Sequence, residues 1–140
     1  MGINRRLKYP DTDTFTFYNA NTHNRYTTDC VPRAIATALD MPYGETVMEL
    51  ARLQCQTGYD DGDEKLYGLF LEKNGFVKRK QAKKKNNKKY TGKEFCKEIA
   101  NGRRIVAHIG SHHVVAIVDD KIYDTWDSTD GCVGVYWTKG

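Results

Sequence analysis

The stretch TTDCVPRAIATAL, residues 27–39, is where the chain first declares a period. Val31, Ala34, Ile35, Ala38 and Leu39 fall at i, i+3, i+4, i+7 and i+8, the apolar stripe of a helix that faces a core. Thr28 or Asp29 stands where an N-cap belongs, and Pro32 sits in the first turn, where a missing N–H costs nothing. Cys30 therefore begins the helix. Packing asks for no thiol there, yet a helix N-terminus offers unpaired N–H groups and roughly half a positive charge, which favour a thiolate.

Downstream, MPYG leads into a second helix with Val47, Leu50, Ala51 and Gln54 on one face and Gly58 past its end. A third, over 64–73, uses Leu66, Leu69 and Phe70 and stops at Gly75. Thr91 and Glu94 form a T-x-x-E capping box ahead of Phe95, Ile99 and Ala100. After Gly102 every run reads as strand: RRIVAHI, HHVVAIV, KIYDTW and CVGVYW are β-branched and aromatic, and Asp119-Asp120 is a two-residue hairpin turn. Upstream, residues 1–26 show only a short alternation in TFTFY and read as an extended arm with at most one strand. Helices first and an antiparallel sheet last predict an α+β fold, with the helix bearing Cys30 packed on a C-terminal sheet. The 140 residues fit one domain spanning 1–140.

Composition narrows the classes. No apolar run approaches the ~20 residues that cross a bilayer, and MGINRRLKYPDTD is too polar for a signal peptide, so a cytoplasmic protein with no membrane partner is expected. The four cysteines, Cys30, Cys55, Cys96 and Cys132, include no CxxC pair and read as free thiols. The net charge of +4 is local: residues 78–89 hold eight basic side chains and no acidic one, and without them the balance is −4. The composition thus excludes a globally basic nucleic-acid surface and leaves a lysine-rich loop at about 78–90, FVKRKQAKKKNNKKY, too charged to pack. Lys83, Lys84, Lys85, Lys88 and Lys89 are its candidate contacts to an acidic protein or to nucleic acid, if it is more than a solvated loop.

A nucleophilic thiol needs a base, and AHIGSHHVVAIV holds the histidines. If Asp119-Asp120 is the whole turn, Val118 faces Lys121, His113 lies opposite Trp126, and Val115 lies opposite Asp124. His113, Val115, Asp124 and Trp126 then share a face, with Asp124 diagonal to His113. One more turn residue would substitute Asp127 for Asp124. A carboxylate there fixes the imidazole tautomer and leaves the other nitrogen for the thiol, while Trp126 shields the bond from water. His112 and His113 are neighbours on a strand and point to opposite faces, so they do not chelate one ion together, and no metal is assigned. His23 and His108 receive no role.

A cysteine opening a helix, followed much later by a histidine on one strand and an acid on the next, resembles the papain-like cysteine peptidase superfamily. Asp124-Thr125-Trp126 is similar to the Asn-Ser-Trp of papain. The closer resemblance is to compact bacterial and phage members of the C39 or NlpC/P60 kind, through DCVPRAI and YDTWD. It covers residues 24–39 and 112–127, and the GSCW motif of papain is absent. The resemblance implies a thiol-dependent hydrolase that cleaves a peptide or isopeptide-like amide through an acyl-enzyme, with catalytic Cys30, His113 and Asp124 and no cofactor. The oxyanion amide of papain lies six residues before the nucleophile, which here is Asn24. An acyltransferase with the same triad and a non-catalytic binding protein on the same fold are the alternatives.

Overall fold

The computed structural model describes residues 2–140, with side chains from Arg5 onward. Its elements are α1 (Gly2–Lys8), β1 (Phe15–Phe17), α2 (Cys30–Leu39), α3 (Tyr43–Thr57), α4 (Glu64–Lys73), β2 (Val77–Arg79), α5 (Gly92–Glu98), β3 (Arg104–Ile109), β4 (His113–Val118), β5 (Lys121–Asp124) and β6 (Val133–Lys139). The class is α+β. Among the described residues, no helix is long and apolar enough to cross a membrane.

The α2 stripe packs as its period predicts: Val31, Ala34, Ile35 and Ala38 are buried against β4. Its start differs from the simple cap. Asp29 occupies the N-cap, but its carboxylate makes no capping bond and turns instead to Arg33 and Tyr43. The first intrahelical bond is Arg33 N–H to Asp29 C=O at 3.1 Å, so the N–H groups of Cys30 and Val31 precede the ladder and have no partner in the helix. Helix α4 follows its predicted bounds, capped by Asp63, which accepts from Lys65 N–H at 2.9 Å. Helix α5 opens with the predicted capping box of Thr91 and Glu94.

Three expectations need correction. The arm before residue 26 contains α1 as well as β1. In α3 the buried side chains are Thr46, Leu50 and Leu53, whereas Val47 and Ala51 are exposed along a cleft, because the helix shares its apolar flank between core and groove. The sheet is mixed. Its order is β1-β5-β4-β3-β6-β2, with β1 parallel to β5 at one edge and β2 antiparallel to β6 at the other. Both edge strands are three residues long, too short for any alternation to name their partners.

The central hairpin agrees with the two-residue turn. Val118 faces Lys121, Ile117 faces Ile122 and Ala116 faces Tyr123. Asp119 and Asp120 both have positive φ, 53° and 62°, which sets the twist of a primed turn. The sheet is covered on both sides. Val31, Ile35, Leu50, Leu66, Leu71, Val106, Val114 and Trp137 form the core under α2, α3 and α4, while Phe15, Phe95, Ile105, Ile109, Val115, Ile117 and Ile122 form the one under α5. Buried on both faces, β3 and β4 are almost continuously apolar.

The lysine-rich segment is also more ordered than a solvated loop. Lys83 bridges Lys89 across a small antiparallel pair, Lys84 N–H donates to Lys88 C=O at 2.8 Å, and Asn87 takes a positive φ of 66° at the tip. It is a tight hairpin.

Candidate active site

The end of the sheet where β4 starts and β5 finishes is where α2 arrives. Asp124 is held there by the edge strand, through pairing with Phe17 of β1 and a 2.8 Å bond from Tyr18 N–H to its C=O. Its side chain accepts from His113 Nε2 at 2.5 Å on Oδ2, and from Arg33 Nη1 and Thr125 N–H, both at 2.7 Å, on Oδ1. With Nε2 engaged, His113 offers Nδ1 to the thiol. The imidazole of His113 and the N–H of Val114 both act on the Cys30 sulfur. Trp126 lies over the imidazole, ring centroids 4.8 Å apart. His113 is 16% exposed and Asp124 only 2%. Cys30, His113 and Asp124 thus meet as the two-residue turn predicts.

The charges follow from this packing. Burial works against ionising Cys30, but bonds from His113 and Val114 N–H, with the positive fields of His113 and Arg33, hold its thiol below the ordinary range. Burial likewise opposes a charged His113, yet Asp124 and Cys30 outweigh it and push the imidazole up to about 9. Burial would raise Asp124, but His113 and Arg33 keep its carboxyl below the usual range. The packing therefore favours a thiolate beside an imidazolium, braced by an ionised carboxylate.

Arg33 is the site residue that the sequence reading missed. Its side chain is 9% exposed, and it links Asp124 to Asp29, with Nε 2.8 Å from Asp29 Oδ1. Asp29 also accepts from Tyr43 Oη at 2.7 Å and from Asn21 Nδ2 at 3.3 Å. The signal was present. An arginine in the first turn opposes the helix dipole, so its place there implies buried acidic partners.

Two candidate residues are not brought to the site. Asn24 is exposed in a left-handed turn, φ 57°, with its N–H on Asn21 C=O, and it does not line the cleft. A six-residue offset carries no geometry across an irregular loop, and Tyr26, Thr27 and Thr28 border the cleft instead. Asp127 is turned away: its Oδ1 accepts from Thr129 N–H at 2.9 Å and Thr129 Oγ1 at 2.5 Å. The lysines of 83–89 do not line the cleft either.

The cleft beside Cys30 has a volume of about 920 Å³. Val47, Leu50, Ala51 and Leu66 give it one apolar wall, and Arg5, which donates to Thr125 C=O at 2.6 Å, closes the arm over the opposite side. Tyr67 and His108 form a further pair in it, joined by a hydrogen bond, with Glu64 Oε1 3.6 Å from His108 Nε2. Comparisons of the chain with protein-family models, curated proteins and solved structures find no match, so the site is read from its own geometry.

Proposed function

We propose that this chain is a papain-like thiol hydrolase that cleaves a peptide or isopeptide-like amide through an acyl-enzyme. The observation that carries the reading is the meeting of Cys30 with His113, itself hydrogen-bonded to Asp124, at a helix N-terminus that opens on a cleft. The Cys30 thiolate attacks the carbonyl carbon, and the N–H of Cys30, free of the helix ladder, donates to the oxyanion that forms. His113 then gives its proton to the leaving nitrogen as the C–N bond breaks. In the second half, His113 takes a proton from water, whose oxygen attacks the thioester and releases the acid and the thiolate. Asp124, steadied by Arg33, keeps the imidazole turned so that Nδ1 meets the sulfur.

The test is thiol labelling across pH with the full chain. Iodoacetamide should modify Cys30 at pH 6 far faster than an ordinary thiol, and mass spectrometry after brief exposure to an activated peptide ester should find the acyl group on Cys30. A Cys30 no more reactive at pH 6 than a free cysteine would sink the reading. Adding amines separates the outcomes: amide products in place of acids would mark a transferase.

A further inference from the structure

The lysine hairpin opens at the same end of the sheet as the thiol. Arg79 of β2 and Ala107 of β3 both pair with Tyr136 of β6, so β2 and β3 run in the same direction on either side of β6. The chain leaving β2 enters the hairpin, and the chain leaving β3 enters the turn that carries His112 and His113. Both feet of the hairpin are tied next to that turn. Gln81 Nε2 donates to Val133 C=O at 2.9 Å, Thr91 bridges Cys132, and Cys132 C=O accepts from Gly110 N–H at 3.0 Å. Two strand spacings, about 10 Å, separate its base from the cleft's upper edge.

Its charge is not spent within the fold. Lys78 pairs with Glu64 at 2.8 Å and Lys84 pairs with Glu94, but Lys80, Lys83, Lys85, Lys88 and Lys89 are exposed and pair with no carboxylate among the described residues. The nearby Asp130 is taken by Lys93 at 3.1 Å. Lys83 stands directly across from Lys89, an arrangement of like charges that lowers stability. The turn nevertheless holds these cations together in a fixed shape at the thiol's end of the sheet.

We propose that the substrate is an acidic polypeptide, its scissile amide at Cys30 and its carboxylates along the lysine hairpin. This rests on the thiol-hydrolase reading. A phosphate backbone would satisfy the same lysines but presents no amide to the thiol. Lysines as point charges ask for net negative charge and not for a particular side-chain order, so the preference is for acidity over sequence.

The test uses two chloroacetylated peptides that differ only in a six-residue tail, all glutamate or all serine, long enough to reach about 20 Å when extended. Labelling of Cys30 in the full chain is measured for both, each rate divided by that of plain chloroacetamide on the same protein. The acidic probe should react about tenfold faster at low salt, with the ratio falling toward one at 0.5 M salt, where the screening length shrinks below 5 Å or so. Replacing Lys83, Lys85, Lys88 and Lys89 together by Ser should remove the preference, and replacing them by Glu should invert it toward a lysine-tailed probe. Equal rates for the two tails while chloroacetamide still labels Cys30 rapidly overturn the acidic-substrate proposal and leave the hydrolase reading standing. A thiol that is slow toward chloroacetamide itself strikes the hydrolase reading. Binding of the glutamate peptide, followed separately by anisotropy, then decides the hairpin: a short DNA duplex displacing it more strongly than polyglutamate of equal charge overturns the acidic polypeptide in favour of nucleic acid.

Discussion

Two histidines border one cleft and stand in opposite states. His113 is bonded to a buried carboxylate beside the thiol and is pushed up to about 9, whereas burial holds His108 below the ordinary range although Glu64 pulls it the other way. Both meet an oxygen acid through Nε2: Asp124 for His113, the Tyr67 hydroxyl for His108. The difference is the ionisation of the partner. His113 and Arg33 keep Asp124 charged, while burial together with the fields of Glu64 and Cys30 raises the Tyr67 phenol and keeps it neutral. An imidazole's role is set by what can be ionised beside it and not by its own position on a strand.

Arg33 is where this contrast breaks most easily. Its charge is buried between two carboxylates, and Arg33→Met leaves Asp29 without its counter-ion and Asp124 with His113 alone. The expected loss is roughly 3–5 kcal/mol of stability, read from denaturant midpoints. Midpoints within about 1 kcal/mol of wild type would mean that the network is not what holds Asp124 charged.

His113→Ala comes next. Without the imidazolium the thiol loses its strongest support against burial, and only Val114 N–H and the field of Arg33 still oppose it. Iodoacetamide labelling of Cys30 at pH 6 should fall about a hundredfold. His108→Ala should leave that rate within a factor of two.

Much of this was legible locally. The stripe of α2, the Asp119-Asp120 turn and the Thr91/Glu94 box each lie within a few residues, so periodicity and side-chain chemistry suffice to read them. The turn also placed Asp124 and not Asp127 beside His113, since a hairpin's register follows from its loop length. What stayed hidden joins distant segments. Arg33 meets Asp124 across 91 positions, β1 pairs with β5 through a strand of three residues, and Asn24 was chosen by an offset in a loop that obeys no period. The face of α3 was misjudged for another reason. Apolar side chains that line a groove and those that fill a core look alike in a helical stripe.

Removing the sulfur separates the paired charges in a third, smaller effect. His113 has a raised folded-state pKa, so its stabilising contribution is complete below about 6.5 and is lost as pH rises through about 9. Cys30 is depressed, and its contribution appears as pH rises toward the range of an unfolded thiol. Where both shifts act, the folded chain holds an extra proton on the imidazole and has lost one from the sulfur relative to the unfolded chain, so the two slopes oppose each other. Wild-type stability should therefore fall less steeply between pH 6.5 and 9 than that of Cys30→Ala, which should lose roughly 1–2 kcal/mol over the same interval. Equal slopes for both proteins would show that the thiol is not ionised at rest.

The smallest effect belongs to the neutral pair. Tyr67→Phe deletes one hydrogen bond between groups that carry no charge, and such a bond contributes about 1 kcal/mol. The phenol ring still packs edge-on against Trp137, whose indole fills the space beside Gly68, so the helix keeps its seat. His108 loses its hydroxyl partner but keeps Glu64 at 3.6 Å and its partial exposure to water, and burial continues to hold it neutral. Stability should therefore drop by about 1 kcal/mol, the NMR titration of His108 should stay below that of a free histidine, and Cys30 labelling at pH 6 should change less than twofold. Tyr67 feels the charge of Cys30, so any influence must run along that same line in reverse. A labelling change that approached the His113→Ala loss would make the two histidines one coupled system, and the division of the cleft into a charged wall and a neutral one would fail.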